Sequence, residues 1–399
     1  MSDSSVYEEL GVPTVVNAAG TKTRIGGSRI REEARDAMAR ASREFVRLSD
    51  LQAAASERIA DATGAEAGYV TNGAAGALVL SAAACIAGTD PGTMSRLPDT
   101  EGVADEIVMP RTHRTGYDQA LRGAGAEIVD VGTNDESLGT GSRNVEPWMY
   151  ADAIGEDTVA VAHVYKADAG PPLEAVCELA HERDVPVIVD AAAELPPVDN
   201  LRWFTERGAD LVAFSGGKGI RGPQTTGILA GRADLIESAA FQHLDAHAAE
   251  GVWHPPEGLI DPEKIEGVPP QGIGRPLKVG KEELVGLLAA LDAFREEDHD
   301  ATQREWRARA ERVADALAGD EILRTTIDDG PASVAPVVVV DVDGGGIRAS
   351  ALVSALREED PRVFVGADAV SEGRFTVNPM CLSDGEADYV VERVRANLG

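Results

Sequence analysis

Apolar positions recur along the first half of this chain in two alternating spacings. Residues 28–63 read as helical: in "LQAAASERIADATG" the apolar positions fall at helical intervals, and Gly64 supplies a C-cap. "EAGYV" (66–70) reads as a short strand, and "TNGAAGALVLSAAACIAG" then opens a second apolar helix. From there strands and helices take turns. "EIVMP" (106–110) precedes the helix "TGYDQALRGAG", and "AEIVDVG" (126–132) follows it. "TVAVAHV" (158–164) precedes the helix "LEAVCELAHERD", and "VPVIVD" (185–190), "DLVAF" (210–214) and "TTGILAG" (225–231) complete the series. Continuous apolar runs separated by helices argue for a parallel-rich sheet covered on both faces.

The pattern then changes. Residues 245–278 are rich in Pro and Gly and read as irregular, and a long helical stretch begins near Gly280 and runs toward Leu317. "VAPVVVVDV", a helix at 347–358, "RVFVG", "RFTVN" and a last helix at 384–397 form a smaller α+β unit. The expected division is therefore an N-terminal segment, 1–45, joining the small domain; a large domain, 46–278; and a C-terminal small domain, 279–399. The acidic stretch 89–105, "TDPGTMSRLPDTEGVAD", is expected to be a surface loop.

Composition narrows the function classes. Asp and Glu number 68 against 37 Lys and Arg, a net charge of −31 dispersed through every segment. Such a surface repels nucleic acid and anionic membranes. Scarce lysine with dispersed carboxylates resembles proteins of salt-loving microbes, where molar salt cuts the Debye length to roughly 3 Å. No run approaches the roughly 18 apolar residues of a membrane span, and "MSDSSVYEEL" has neither the basic nor the apolar region of a signal peptide. Cys85, Cys177 and Cys381 lie far apart, as free thiols of a reducing cytoplasm do.

Chemistry enters with "AFSGGKGIRGPQ" (213–224). Lysine occurs only at positions 22, 166, 218, 264, 278 and 281, so a lysine retained among glycines points to a task arginine cannot do. That task is to lose a proton and act as a nucleophilic amine. "YVTNGAAGAL" (69–78) places a strand end, a glycine turn and a helix start in sequence, which suits a phosphate. "VIVDAAAELPP" (187–197) ends a strand in Asp190 at the edge where α/β folds bind ligands. An amine, a carboxylate and a phosphate cradle are what pyridoxal 5′-phosphate (PLP) requires. Lys22 and Lys166 are also glycine-flanked and could touch a substrate. His113, in "MPRTHRTGYD", could stack on a cofactor ring, and a structural role stands equally open. The histidines lie on separate elements and assemble no metal site.

Six segments, "VVNAAGTKTRIGGS", "LQAAASERIADATGAEAGYVTNGAAGAL", "HRTGYDQALRGAGAEIVDVGT", "VPVIVDAAAELPP", "LVAFSGGKGIRGPQTTGILAGR" and "GIGRPLKVGKEELVGLLAAL", together resemble the selenocysteine synthase-like family of fold-type-I PLP enzymes. That family includes L-seryl-tRNA selenium transferase and D-glucosaminate-6-phosphate ammonia-lyase-like proteins. The resemblance implies an aspartate aminotransferase-like large domain with a mostly parallel sheet, plus a smaller C-terminal α+β domain. It implies Lys218 as the cofactor-bearing lysine and Asp190 as partner of the pyridine nitrogen. Asn72, Gly73 and Ala74 would hold the phosphate, helped by Ser215 and Gly217, with His113 over the ring. Arg275, in "GIGRPLK", and Arg374, in "EGRFTVNP", are candidates for a substrate carboxylate or phosphate, to which arginine's fork is suited.

The chain departs from the tRNA-using members: the shared region begins by about residue 15, and "KTRIGGS" stands where those read like "LHTNLGR". The expectation is a cytoplasmic homodimer, or a higher oligomer, acting on a small-molecule amine without nucleic acid, membrane or metal. The expected reaction is Cα deprotonation and β-elimination to a keto acid and ammonia. Selenium or sulfur transfer, transamination and a PLP-binding protein without turnover are the alternatives.

Overall fold

The computed structural model describes residues 5–135, 137, 144–165, 170–245, 248–269, 272–330, 334–344 and 346–398. Strands number β1 (Val15–Ala18), β2 (Ala67–Thr71), β3 (Glu106–Pro110), β4 (Glu127–Val131), β5 (Thr158–Val164), β6 (Val187–Asp190), β7 (Leu211–Ser215), β8 (Gly227–Gly231), β9 (Leu323–Asp328), β10 (Val337–Val342), β11 (Arg362–Val365) and β12 (Arg374–Val377). Two compact units result: Ile30–Glu296, and Met1–Arg29 together with Glu297–Gly399.

The larger unit is built on a seven-stranded sheet of order β2-β8-β7-β6-β5-β3-β4. All neighbours run parallel except β8, which is antiparallel to both β7 and β2. The two-residue period of a strand sends alternate side chains into two cores. Val70, Val108, Val161, Val189, Val212 and Ile228 pack into one, while Tyr69, Ile107, Ala162, Ile188, Leu211 and Leu229 pack into the other. With both faces covered, the central strands β6, β7 and β8 are almost wholly apolar, which is why their existence shows in the sequence.

Edge strand β2 is protected by Gln52, on helix Leu48–Thr63. Its amide donates to Val70 O at 2.8 Å and its carbonyl accepts from Val70 N at 3.0 Å, as a neighbouring strand would. Helix Glu32–Ala41 is separate from Leu48–Thr63, so the single helical stretch read over 28–63 is two helices. Helix Lys281–Glu296 packs against Glu32–Ala41 within this unit.

The smaller unit joins a three-stranded antiparallel sheet, β12-β10-β9, and the parallel pair β1-β11. Helices His299–Leu317, Ala349–Leu356 and Asp384–Ala396 contribute Val313, Leu352 and Val390 to its core.

Residues 89–105 are not all loop. Asp90 accepts from the backbone of Gly92 and Thr93 and starts a helix, Pro91–Arg96, that puts Met94 into the core at 1% exposure. The acids on either side mask a capped turn with one apolar anchor. Among the described residues no helix is long and apolar enough to cross a membrane, and no group of three or more His, Cys, Asp or Glu is placed to hold a metal.

Candidate active site

Because β8 runs against its neighbours, its first residue, Gly227, lies between Thr71 at the end of β2 and Ser215 at the end of β7. The C-terminal ends of β2, β3, β5, β6 and β7 therefore share one sheet edge with the start of β8. An open α/β sheet binds its ligand along such an edge.

At β2 the chain turns through Gly73, at φ +79°, into helix Gly73–Ala87. The Thr71 hydroxyl donates to Gly73 O at 2.9 Å. A Cβ on Gly227 would lie 2.4 Å from Gly73 C and 2.7 Å from Ala74 N, so only glycine lets the helix start sit on the strand. Asn72 Oδ1 is buried against Gly76 and has no hydrogen-bond partner. A helix start with its first N–H groups facing outward and an unpartnered amide oxygen beside it makes a polar cradle.

At β7 the lysine turn is held from several sides. Gly216 N–H donates to Thr226 O at 2.8 Å, Gly222 N–H to Gly216 O at 2.8 Å, and Arg221 N–H to Lys218 O at 3.1 Å. Arg31 closes the far side, its Nε donating to Ile220 O at 2.8 Å and its N–H to Arg221 O at 2.9 Å. Gly217 and Gly219 pack so tightly that a Cβ would meet Gln224 Cα at 2.4 Å and Leu195 O at 2.0 Å. The glycines around Lys218 thus serve close packing, and the lysine between them is half-buried.

Asp190 ends β6. Burial pushes its carboxyl up from the usual carboxylate range, against the Ala192 N–H bond at 3.1 Å and the charge of Lys218. A desolvated carboxyl with one backbone donor and no ion pair among the described residues suits a cation at contact, and the protonated nitrogen of a pyridine ring is one. Four residues on, Glu194 is raised too, by burial and then by Asp190, again opposed by Lys218.

His113 follows β3 and is fully buried, its ring edge-to-face with His163 of β5 at 4.5 Å between centroids and 88° between planes. Burial drives His163 down to about 4, and its Nδ1 has no hydrogen-bond partner. His163 and Asp190 line a crevice with Leu78, Met109 and Tyr117. The residues fit PLP: a lysine, an unsatisfied acid and a polar cradle stand on one edge.

The sequence-expected residues do not all gather here. Lys218, Asp190, Asn72, Gly73, Ala74, Ser215 and Gly217 lie along this edge, and His113 lies just beyond β3. Arg275 is exposed on the turn Arg275–Leu277 of the same unit; its charge adds to the burial that drives His243 down to about 4. Arg374 belongs to the smaller unit, on β12, paired with Asp341 across the strands at 3.2 Å. Lys22 is also in that unit, beside Asp368 at 3.3 Å; Lys166 lies outside the described residues. Glu194, His163 and Arg31 were not singled out for the site. Their signals were a charge in the turn "DAAAEL", a histidine in the apolar run "TVAVAHV" and an arginine just ahead of a helix.

Residues 15–246 match the family model described as L-seryl-tRNA selenium transferase. D-glucosaminate-6-phosphate ammonia lyase of Salmonella typhimurium is 29% identical, covering 98% of this chain and 97% of the relative. The solved structure of D-glucosaminate-6-phosphate ammonia-lyase superposes with a TM-score of 0.81 over 100% of this chain and 99% of that one, at 29% identity. A 5′-C-glycyluridine monooxygenase-decarboxylase of Streptomyces sp is 31% identical, covering 100% of this chain and 93% of its own. A double mutant of Thermus thermophilus aspartate aminotransferase shares the fold, with a TM-score of 0.51 over 98% of this chain and 93% of that one at 18% identity.

Proposed function

Since the chain belongs to the L-seryl-tRNA selenium transferase family and is an enzyme of its lyase-and-transferase kind, we propose that it is a PLP-dependent lyase. Its substrate is a small amino acid or amino-sugar acid, from which it removes the Cα proton and a β-substituent, leaving a keto acid and ammonia. The observation that carries this is the gathering of Lys218, Asp190 and the Gly73–Ala74 cradle on one strand edge. Likeness over the full length to an ammonia lyase favours elimination over transfer to tRNA.

In this reading PLP, when bound, supplies an electron sink for the pair left behind by the Cα proton. The chain does the rest. Asn72, Gly73 and Ala74, with Ser215 and Gly217, hold the phosphate, and Lys218 anchors the cofactor covalently. Asp190 keeps the ring nitrogen protonated, and His113 covers the ring. The Lys218 amine, once free, takes the proton from Cα. Arg275, in the same unit, is the candidate for the substrate's anionic group. A homodimer in the cytoplasm belongs to the same proposal.

The protein purified with PLP is expected to be yellow, and borohydride should fix the cofactor on the peptide containing Lys218. Attachment at Lys22 or Lys166, or none, overturns the assignment. A second reading, oxidative decarboxylation, is favoured by the 31% identity to the monooxygenase-decarboxylase. It predicts oxygen uptake and carbon dioxide release in place of ammonia formation.

A further inference from the structure

Glu194 has no place in the reading above, yet the fold delivers it to the site. After Asp190 the chain folds back at once: Asp190 accepts from Ala192 N–H at 3.1 Å, and Glu194 N–H donates to Ala191 O at 3.2 Å. Asn200 Nδ2 then fixes the Glu194 carbonyl at 2.7 Å. The next residue, Leu195, presses its carbonyl against Gly219, where a Cβ would lie only 2.0 Å away. The backbone beside Glu194 therefore touches the backbone beside Lys218. Among the described residues the Glu194 carboxyl makes no hydrogen bond and no ion pair, and the charged groups it feels are Asp190 and Lys218. A half-buried carboxyl with no partner among the described residues, on a turn packed against the backbone of the proposed base, calls for a chemical use.

We propose that Glu194 is the proton donor to the departing β-oxygen. The inference rests on the lyase reading and adds a step to it. Lys218 takes the Cα proton and becomes an ammonium. The Cβ–O bond breaks with its electron pair going to oxygen, and the Glu194 O–H proton goes to that oxygen, so the group leaves as water. Glu194 then takes a proton from solvent and Lys218 gives its own up to solvent, so both residues return to their starting forms.

The other acids of the edge suit the task less well. Asp190 is committed to the ring nitrogen, and His163, held near 4 by burial, is neutral when the enzyme works. An ammonium is a weaker acid than a carboxyl by roughly 6 pKa units, so it protonates a leaving hydroxyl less readily. Burial and Asp190 both favour the protonated form of Glu194 that the step uses.

A leaving-group comparison tests this, because chloride departs without a proton and hydroxide does not. Wild type, Glu194→Gln and Glu194→Asp are loaded with PLP and given D- and L-serine, then D- and L-β-chloroalanine, with the cofactor absorbance recorded throughout. For Glu194→Gln the expected result is about a hundredfold loss with serine, a much smaller loss with chloroalanine, an unchanged cofactor spectrum, and partial recovery in Glu194→Asp. Equal losses with both substrates, or no loss with serine, overturn the proposal. A wild type that acts on chloroalanine but on no β-hydroxy substrate, neither serine nor a 2-amino-3-hydroxy sugar acid, also overturns it, since no proton donor would then be in place. A wild type that eliminates from neither serine nor chloroalanine, nor from a 2-amino-3-hydroxy sugar acid, overturns the lyase reading, and the Glu194 step with it.

Discussion

His163 is buried at 2% exposure with its ring against His113, and its pKa falls from 6.5 to about 4. In the unfolded chain the same imidazole takes a proton near 6.5. Between those values the unfolded state binds more protons, so stability is lost as pH falls from about 6.5 to 4. A shift of that size is worth about 3 kcal/mol. Urea unfolding of wild type and His163→Phe at pH 7.5 and pH 4.5 isolates this contribution: the variant should lose less stability over the interval. Equal losses would show that the histidine is not held neutral. At this scale the sequence revealed the residues whose chemistry is rare in the chain. Lys218 stood out because lysine is scarce, and Asp190 because a carboxylate ended an apolar run. Glu194 and His163 did not stand out, because a glutamate in a turn and a histidine in a strand have ordinary explanations until the fold sets them beside Lys218 and His113.

Among elements, the junction of β8 with the helix Gly73–Ala87 bears most directly on the site. Gly227→Ala would place a methyl 2.4 Å from the Gly73 carbonyl carbon and push the helix start off the strand. Overpacking of this kind costs about 1–3 kcal/mol. Urea unfolding together with PLP titration should show a loss of stability in that range and a weaker hold on the cofactor. Unchanged PLP affinity in a destabilised variant would place the phosphate elsewhere. The central strands were legible because both of their faces are buried. β1 and β9 were not: β1 is four residues long and pairs with β11 across more than 340 residues, and β9 has a half-exposed pattern that reads as polar. The break between helices Glu32–Ala41 and Leu48–Thr63 carries no Gly or Pro at 42–47, and all six residues are exposed, so neither turn chemistry nor apolar burial marks it in the sequence.

For the whole molecule, the charge of −31 is the dominant fact that the site does not use. We propose that it is an adaptation to salt. Dispersed carboxylates repel one another when unscreened, and molar salt shortens that repulsion to roughly 3 Å. Against a net stability of about 5–15 kcal/mol, this repulsion is enough to matter. The surface ion pairs offset little of it, since exposed pairs contribute about 0–1 kcal/mol each. The melting temperature should fall as KCl is lowered from molar to about 0.1 M; a constant value across that range would refute the proposal. Ammonia release measures the proposed reaction most directly. The PLP-loaded enzyme is given a β-hydroxy amino acid or 2-amino sugar acid, with no keto acid and no tRNA added. Ammonia is expected to accumulate steadily far beyond the enzyme concentration, with a keto acid in equal amount. A single stoichiometric burst, or carbon dioxide release with oxygen uptake and no ammonia, would contradict it.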